Sequence, residues 1–214
     1  MNTLVFCTSY FDSPEAYERR YQKWINHHRD ALPNEHMFFI DDGSDLDLFK
    51  AEGVGIMSFP DRRGENWSSH PANHEGWWRS FGASLGLAKE RDCRKIIHVE
   101  SDAYIISARL ARYMGELNSG WTALWCPTHN FPESSIQIIC EDQFERFDAF
   151  LNREPSELAK LGLAEQVLPF THVEKNFIGD RYEHGRNPPE YVDFHCQYPP
   201  ERQGPLESPH RGKK

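Results

Sequence analysis

The sequence predicts a single α/β domain with a mostly parallel central sheet flanked by helices. Three observations carry this. The chain opens strand–helix–strand: apolar Leu4-Val5-Phe6-Cys7, a helical-period stretch to Leu32, then Met37-Phe38-Phe39-Ile40, the start of a doubly wound sheet. Both strands run into polar loops, Thr8-Ser9-Tyr10 and Asp41-Asp42-Gly43-Ser44-Asp45. A later apolar run, Ile96-Ile97-His98-Val99, runs into Glu100-Ser101-Asp102 before apolar residues resume. In open α/β sheets, ligands sit outside the carboxyl ends of the strands.

The elements follow in order. After the first strand, Ser13-Pro14-Glu15 supplies an N-cap, a proline at the first helical position and a first-turn acid. Tyr17, Tyr21, Trp24, Ile25, His28 and Leu32 then trace one helical face. Residues 53–59 read as a short third strand. Residues 60–75 form a polar loop long enough to act as a lid, with Trp67 at its centre. A helix is expected over 76–91, with Trp77, Phe81, Leu85 and Ala88 inward, then the strand ending at Glu100. Ser107 caps the next helix. Strands are expected over 120–125 and 135–140, joined by a loop over 127–133. Helices follow from 141 and from 155 to about 168. Residues 191–198 alternate like a strand, and 199–214, rich in proline and charge, read as a disordered tail.

Bulk properties narrow the function. The 214 residues suit one sizeable domain. A formal charge of −9 argues against binding nucleic acid by phosphate neutralisation, though not against a single nucleotide. No apolar run approaches the roughly 20 residues of a membrane span, and the N-terminus reads as a strand and not a signal peptide. The five cysteines are widely spaced without a CxxC pair, which suits reduced thiols in a cytoplasmic protein.

Three stretches together resemble a glycosyltransferase of the GT-A fold, family 2 most of all: Phe39-Ile40-Asp41-Asp42-Gly43-Ser44, the helix Arg79-Ser80-Phe81-Gly82-Ala83-Ser84-Leu85, and Glu100-Ser101-Asp102. The likeness covers roughly residues 3–106. Two positions depart from it: the first acid of the Asp-x-Asp pattern is Glu100, and the usual Arg-Asn pair is Arg79-Ser80. The resemblance implies a donor half over 1–106 and an acceptor half over 107–198. It implies a nucleotide-sugar donor held by Thr8, Ser9, Tyr10, Asp42, Arg79, Glu100, Ser101 and Asp102, and a glycan or other hydroxyl acceptor.

Residues i and i+2 of extended backbone point the same way, so Glu100 and Asp102 would share one cation. Oxygen ligands suit Mg²⁺ or Mn²⁺, and the resemblance adds His195 as a third ligand. The cation would assist departure of the diphosphate as a Lewis acid. An inverting transfer also needs a base. Glu141 and Asp142, at the start of a helix, match the placement the resemblance implies, with Asp180 and Glu174 as rivals. Each assignment has a plainer competitor: an Asx turn for Asp42, a surface ion pair for Arg79, dipole-favoured acids for Glu141 and Asp142, and a packed imidazole for His195. Two further functions stay open. A nucleotidyltransferase acting on a sugar phosphate would need a glycine-rich basic loop after the first strand, and residues 8–12 have neither glycine nor lysine. A non-catalytic nucleotide- or glycan-binding module would bind without turnover.

Overall fold

A computed structural model describes residues 2–32, 36–45, 47, 49, 51–64, 74–182 and 187–198. Its frame is a seven-stranded sheet. The strands are β1 (Thr3–Ser9), β2 (His36–Asp41), β3 (Gly55–Ser58), β4 (Lys95–Val99), β6 (Trp121–Cys126), β7 (Phe131–Cys140) and β8 (His172–Glu174), in the order β3-β2-β1-β4-β7-β6-β8. A second sheet is built from β5 (Tyr104–Ile105), β10 (Phe194–Cys196) and β9 (Gly179–Arg181). In the large sheet β7 alone is reversed, antiparallel to both β4 and β6. All other pairings are parallel. The α/β fold with a mostly parallel sheet flanked by helices is thus present. Both halves of the chain contribute strands to the one sheet.

Period-two alternation in β1 divides the core. Val5 and Cys7 face the layer holding Tyr21, Trp24, Ile25, Leu110 and Met114. Leu4 and Phe6 face Trp78, Phe81, Leu85 and Phe147 on the other side. The first layer carries the helical run 14–28, which begins at Pro14–Ala16, passes through a π-helical segment Tyr17–Gln22 and continues as Lys23–His28. Ser13 caps it as expected, its Oγ accepting from the Ala16 N–H at 3.2 Å. The opposite layer carries the helix Glu75–Glu90 and the helix Phe144–Leu151.

Several boundaries differ from expectation. The helix after Pro155 is broken into Pro155–Leu158 and Ala164–Val167, because Gly162 between them takes φ +118°, outside the helical region. Strand β7 begins at Phe131 and absorbs Pro132 and Glu133, which sequence reading gives to a loop. Of 191–198 only Phe194–Cys196 pairs as a strand. The five cysteines are buried and free. No helix among the described residues is long and apolar enough to cross a membrane. Most of the expected lid, including Trp67, and the tail from 199 onward lie outside the described residues.

Lys95 is fully buried, an unusual place for a lysine. Its Nζ donates to the carbonyls of Met114 (3.0 Å) and Gly115 (2.7 Å), near the C-terminus of the helix Ala108–Glu116. The charge meets the negative end of that helix, while burial lowers the lysine's pKa. Lys95→Met leaves both carbonyls without this donor, and the expected loss is about 1–3 kcal/mol, read from the urea midpoint. An unchanged midpoint would show that the ammonium contributes nothing net.

Candidate active site

The carboxyl ends of β1, β2 and β4 meet at one edge of the sheet, since all three run parallel. A cleft of about 240 Å³ opens there, lined by Thr8, Ser9 and Tyr10 after β1, Asp42 after β2, and Glu100 and Ser101 after β4. Arg20, Arg62 and Gly76 complete much of its wall. Six of the eight expected donor-site residues thus share one cleft: Thr8, Ser9, Tyr10, Asp42, Glu100 and Ser101.

Asp41 and Asp42 divide the labour at the end of β2. Asp41 is fully buried. It accepts from the hydroxyls of Ser9 (3.0 Å), Ser44 (2.5 Å) and Ser58 (2.9 Å), and from the N–H groups of Gly43 (3.0 Å) and Ser44 (2.7 Å). It therefore fixes the turn. Gly43 takes φ +89° against the backbone of Asp61 and Arg62, where a side chain would have no room. Asp42 accepts from the N–H groups of Arg63 (3.1 Å) and Gly64 (2.7 Å) and from Arg79. Its carboxylate occupies the place a Cβ on Gly76 would need, so the glycine lets the helix Glu75–Glu90 start against it. Arg79 does not line the cleft. Its guanidinium pairs with Asp42 and with Asp61 at 3.1 Å, over the Phe59 ring at 4.2 Å. It braces the cleft wall from behind.

Glu100 and Asp102 do not continue the strand. β4 ends at Val99, and the Ala103 N–H bonds back to the Glu100 carbonyl at 2.9 Å, so Glu100, Ser101 and Asp102 form a turn. Glu100 accepts from the indole N–H of Trp77 at 2.8 Å. Asp102 accepts from Arg20 at 3.0 Å through Oδ2, while its buried Oδ1 has no protein partner. Both line a second cavity of about 530 Å³, with Glu133, Ser134, Ser135, Leu163, Glu165 and Arg181 on its far wall. Arg20, Trp77 and Glu100 line both cavities. Burial pushes the Glu100 carboxyl up to about 8, helped by the charges of Asp102 and Glu133 and opposed by the Trp77 hydrogen bond.

Sequence reading misses the far wall. Arg181, nearly buried, donates to Glu133 at 2.6 and 3.1 Å and also to Glu165. Ser134 donates to Glu165 at 3.0 Å. Glu133 lies in what reads as a loop, and nothing in the spacing of 133, 165 and 181 announces a cluster. Trp77, expected in the core, instead stands at the junction of the cavities, stacked on Phe81 with ring centroids 4.8 Å apart.

The expected bases lie elsewhere. Because β7 runs backwards, Cys140 pairs with Lys95 at the start of β4, and Glu141 and Asp142 follow at the amino edge. One strand length, roughly 16 Å at 3.3 Å per residue, separates that edge from Glu100. Glu141 pairs there with exposed Arg94 at 2.6 Å, and Asp142 accepts the Gly120 N–H at 2.9 Å. Asp180 lines neither cavity. It accepts from Cys126 at 3.1 Å and from Thr128. Burial raises its pKa, but these hydrogen bonds outweigh that and hold it below the usual range. Glu174 accepts the Asn176 N–H at 2.7 Å and also lines neither cavity.

The three-ligand metal set is likewise not assembled. His195 packs among aromatic rings, 5.0 Å from Tyr182 and 5.1 Å from Tyr198, and lines neither cavity. Among the described residues no three His, Cys, Asp or Glu side chains gather as a metal-holding group. With Asp102 salt-bridged to Arg20 and Glu100 turned to Trp77, the residues present do not fit the expected Mn²⁺ or Mg²⁺ centre.

No family model matches the sequence, and no curated protein matches it. Among solved structures, the chain is similar to the crystal structure of a glycosyltransferase involved in the glycosylation of the major capsid of PBCV-1. The identity is 9% and the TM-score 0.49, over 92% of this chain and 93% of that one.

Proposed function

We propose that the chain is a glycosyltransferase. In this reading the first cavity takes the nucleoside diphosphate of a nucleotide sugar and the second takes a hydroxyl acceptor. One observation carries it: the two cavities at the carboxyl edge of the sheet open onto a common junction of Arg20, Trp77 and Glu100. A sugar transferred between two substrates has to pass through such a junction. The first cavity suits a nucleotide in chemistry as well. Tyr10 offers a ring already stacked under the Arg62 guanidinium at 3.6 Å. The N-terminal end of the helix Glu75–Glu90 reaches the cavity through Gly76, and its dipole favours an anion.

In the transfer, the bond between the anomeric carbon and the diphosphate oxygen breaks, and its electron pair leaves on the diphosphate. The acceptor hydroxyl oxygen bonds to that carbon and gives up its proton. Of the carboxylates near the junction, Glu133 and Glu165 are held by Arg181 and Asp102 by Arg20. Glu100 lines both cavities and, among the described residues, is bonded only to an indole N–H, so we assign it as the base. A base whose pKa lies near the working pH is the effective kind.

A thermal-shift screen of nucleoside diphosphates and nucleotide sugars, with Mn²⁺, with Mg²⁺ and with EDTA, tests the reading. A ligand at 100 times its Kd is expected to stabilise by about 2.7 kcal/mol. Absence of any shift across all nucleotides would overturn it. A shift without sugar transfer or donor hydrolysis would leave a binding module.

A further inference from the structure

We propose that Arg20 is the diphosphate's counter-charge, standing where a divalent cation would otherwise sit, so that the donor site works without metal. The inference rests on the nucleotide-sugar reading above and deepens it.

The argument begins with position. Arg20 comes from the helical run 14–28, across the cleft from β4, and its guanidinium sits 3.0 Å from Asp102 Oδ2. The acid that a metal would need is therefore already neutralised by a protein cation. Among the described residues, Arg20 is also the only arginine or lysine lining the first cavity that lines the junction as well. A diphosphate leaving the junction for the first cavity would pass it directly.

Donor capacity supports the role. A guanidinium carries five N–H donors in a planar fork that matches paired phosphate oxygens. In Arg20 one nitrogen bonds Asp102, and the buried Nε has no protein acceptor. The side chain keeps 40% of its exposure, against 20% for Asp102, so it is anchored yet open to a ligand. Arg62, whose guanidinium lies over the Tyr10 ring at 3.6 Å, supplies a second guanidinium to the same cavity. Two positive charges can meet the diphosphate there with no bound cation.

Local backbone accounts for the aim. Arg20 lies within the π-helical segment Tyr17–Gln22, and π turns insert an extra residue that resets the facing of what precedes them. Tyr17 and Tyr21 are buried, packed against Phe11 at 5.2 and 5.4 Å between ring centroids. Arg20 between them is directed to the cleft edge. Asp102 acts on the diphosphate only by positioning this guanidinium.

The test is isothermal titration of UDP, GDP and inorganic pyrophosphate into the full chain, in EDTA and in Mn²⁺. The expected result is a nucleoside diphosphate affinity in EDTA within about threefold of that in Mn²⁺. Arg20→Gln is expected to weaken binding at least tenfold, with partial recovery in Arg20→Lys. Asp102→Asn is expected to bind in EDTA as well as the parent or more tightly, because the guanidinium is released; loss of a metal ligand would do the opposite. Circular dichroism of each variant separates lost binding from lost fold. Binding that requires Mn²⁺, or that survives Arg20→Gln in a folded protein, overturns the inference and leaves the nucleotide reading standing. Failure of UDP and GDP to bind in either condition removes that reading itself.

Discussion

Replacing Arg181 by methionine is expected to cost about 3–5 kcal/mol of stability at pH 7.5, the range for breaking a buried ion pair on one side. Glu133 is 1% exposed and Glu165 9%, so neither can turn to bulk water when the guanidinium goes. Ser135 N–H and the Ser134 hydroxyl still donate to them, at 3.0 Å each, but neutral donors do not cancel two charges. Urea unfolding at pH 7.5 measures the effect. A cost below about 1 kcal/mol at pH 7.5 would mean the triad is solvated and not a buried pair. Combining Arg181→Met with Glu133→Gln and Glu165→Gln is expected to recover much of the loss, because no buried charge then remains.

Glu100→Gln is expected to move stability and activity in opposite directions. The Glu100 carboxyl is held up at about 8 by burial and by facing acids, above its value in the unfolded chain. A raised carboxyl pKa contributes its full stability below the unfolded value of about 4.3, and that contribution is lost as pH rises to about 8. Glutamine mimics the neutral acid at every pH. The variant should therefore match the parent at pH 4 and exceed it at pH 9, the gap opening between about pH 4 and pH 8. As a base, however, glutamine cannot accept the acceptor's proton, and kcat should fall by about 10²–10⁴-fold. A stability difference that does not vary with pH would refute the electrostatic part. An unchanged kcat would remove Glu100 from the proton transfer.

The first cavity was readable because its residues sit where strands end. Thr8-Ser9-Tyr10, Asp42 and Glu100-Ser101 each follow an apolar run, and parallel strands carry those ends to one edge. The second cavity's far wall was not readable, for one topological reason. A strand's direction leaves no mark on its own composition, and Ser135-Ile136-Gln137-Ile138-Ile139-Cys140 reads alike in either sense. Taken as parallel, β7 puts Glu141 and Asp142 at the site. Reversed, it puts Glu133 there and sends them away. Arg20 escaped notice for a different reason. On a regular helix it is one polar residue among Glu18, Arg19 and Gln22, and the π segment that sets its direction has no sequence signature. Trp77 and Trp78 are adjacent, and the pattern alone does not say which of the two turns inward.

The reversed strand also sets how the two cavities can change. Residues that line only the first, such as Thr8, Tyr10, Asp42 and Arg62, and residues that line only the second, such as Glu133, Leu163, Glu165 and Arg181, come from separate stretches of chain. Drift in 133–165 can therefore recut the second cavity while the first is inherited intact. Three shared side chains, Arg20, Trp77 and Glu100, form the hinge of that modularity. They are the positions that a change confined to either cavity would have to leave still.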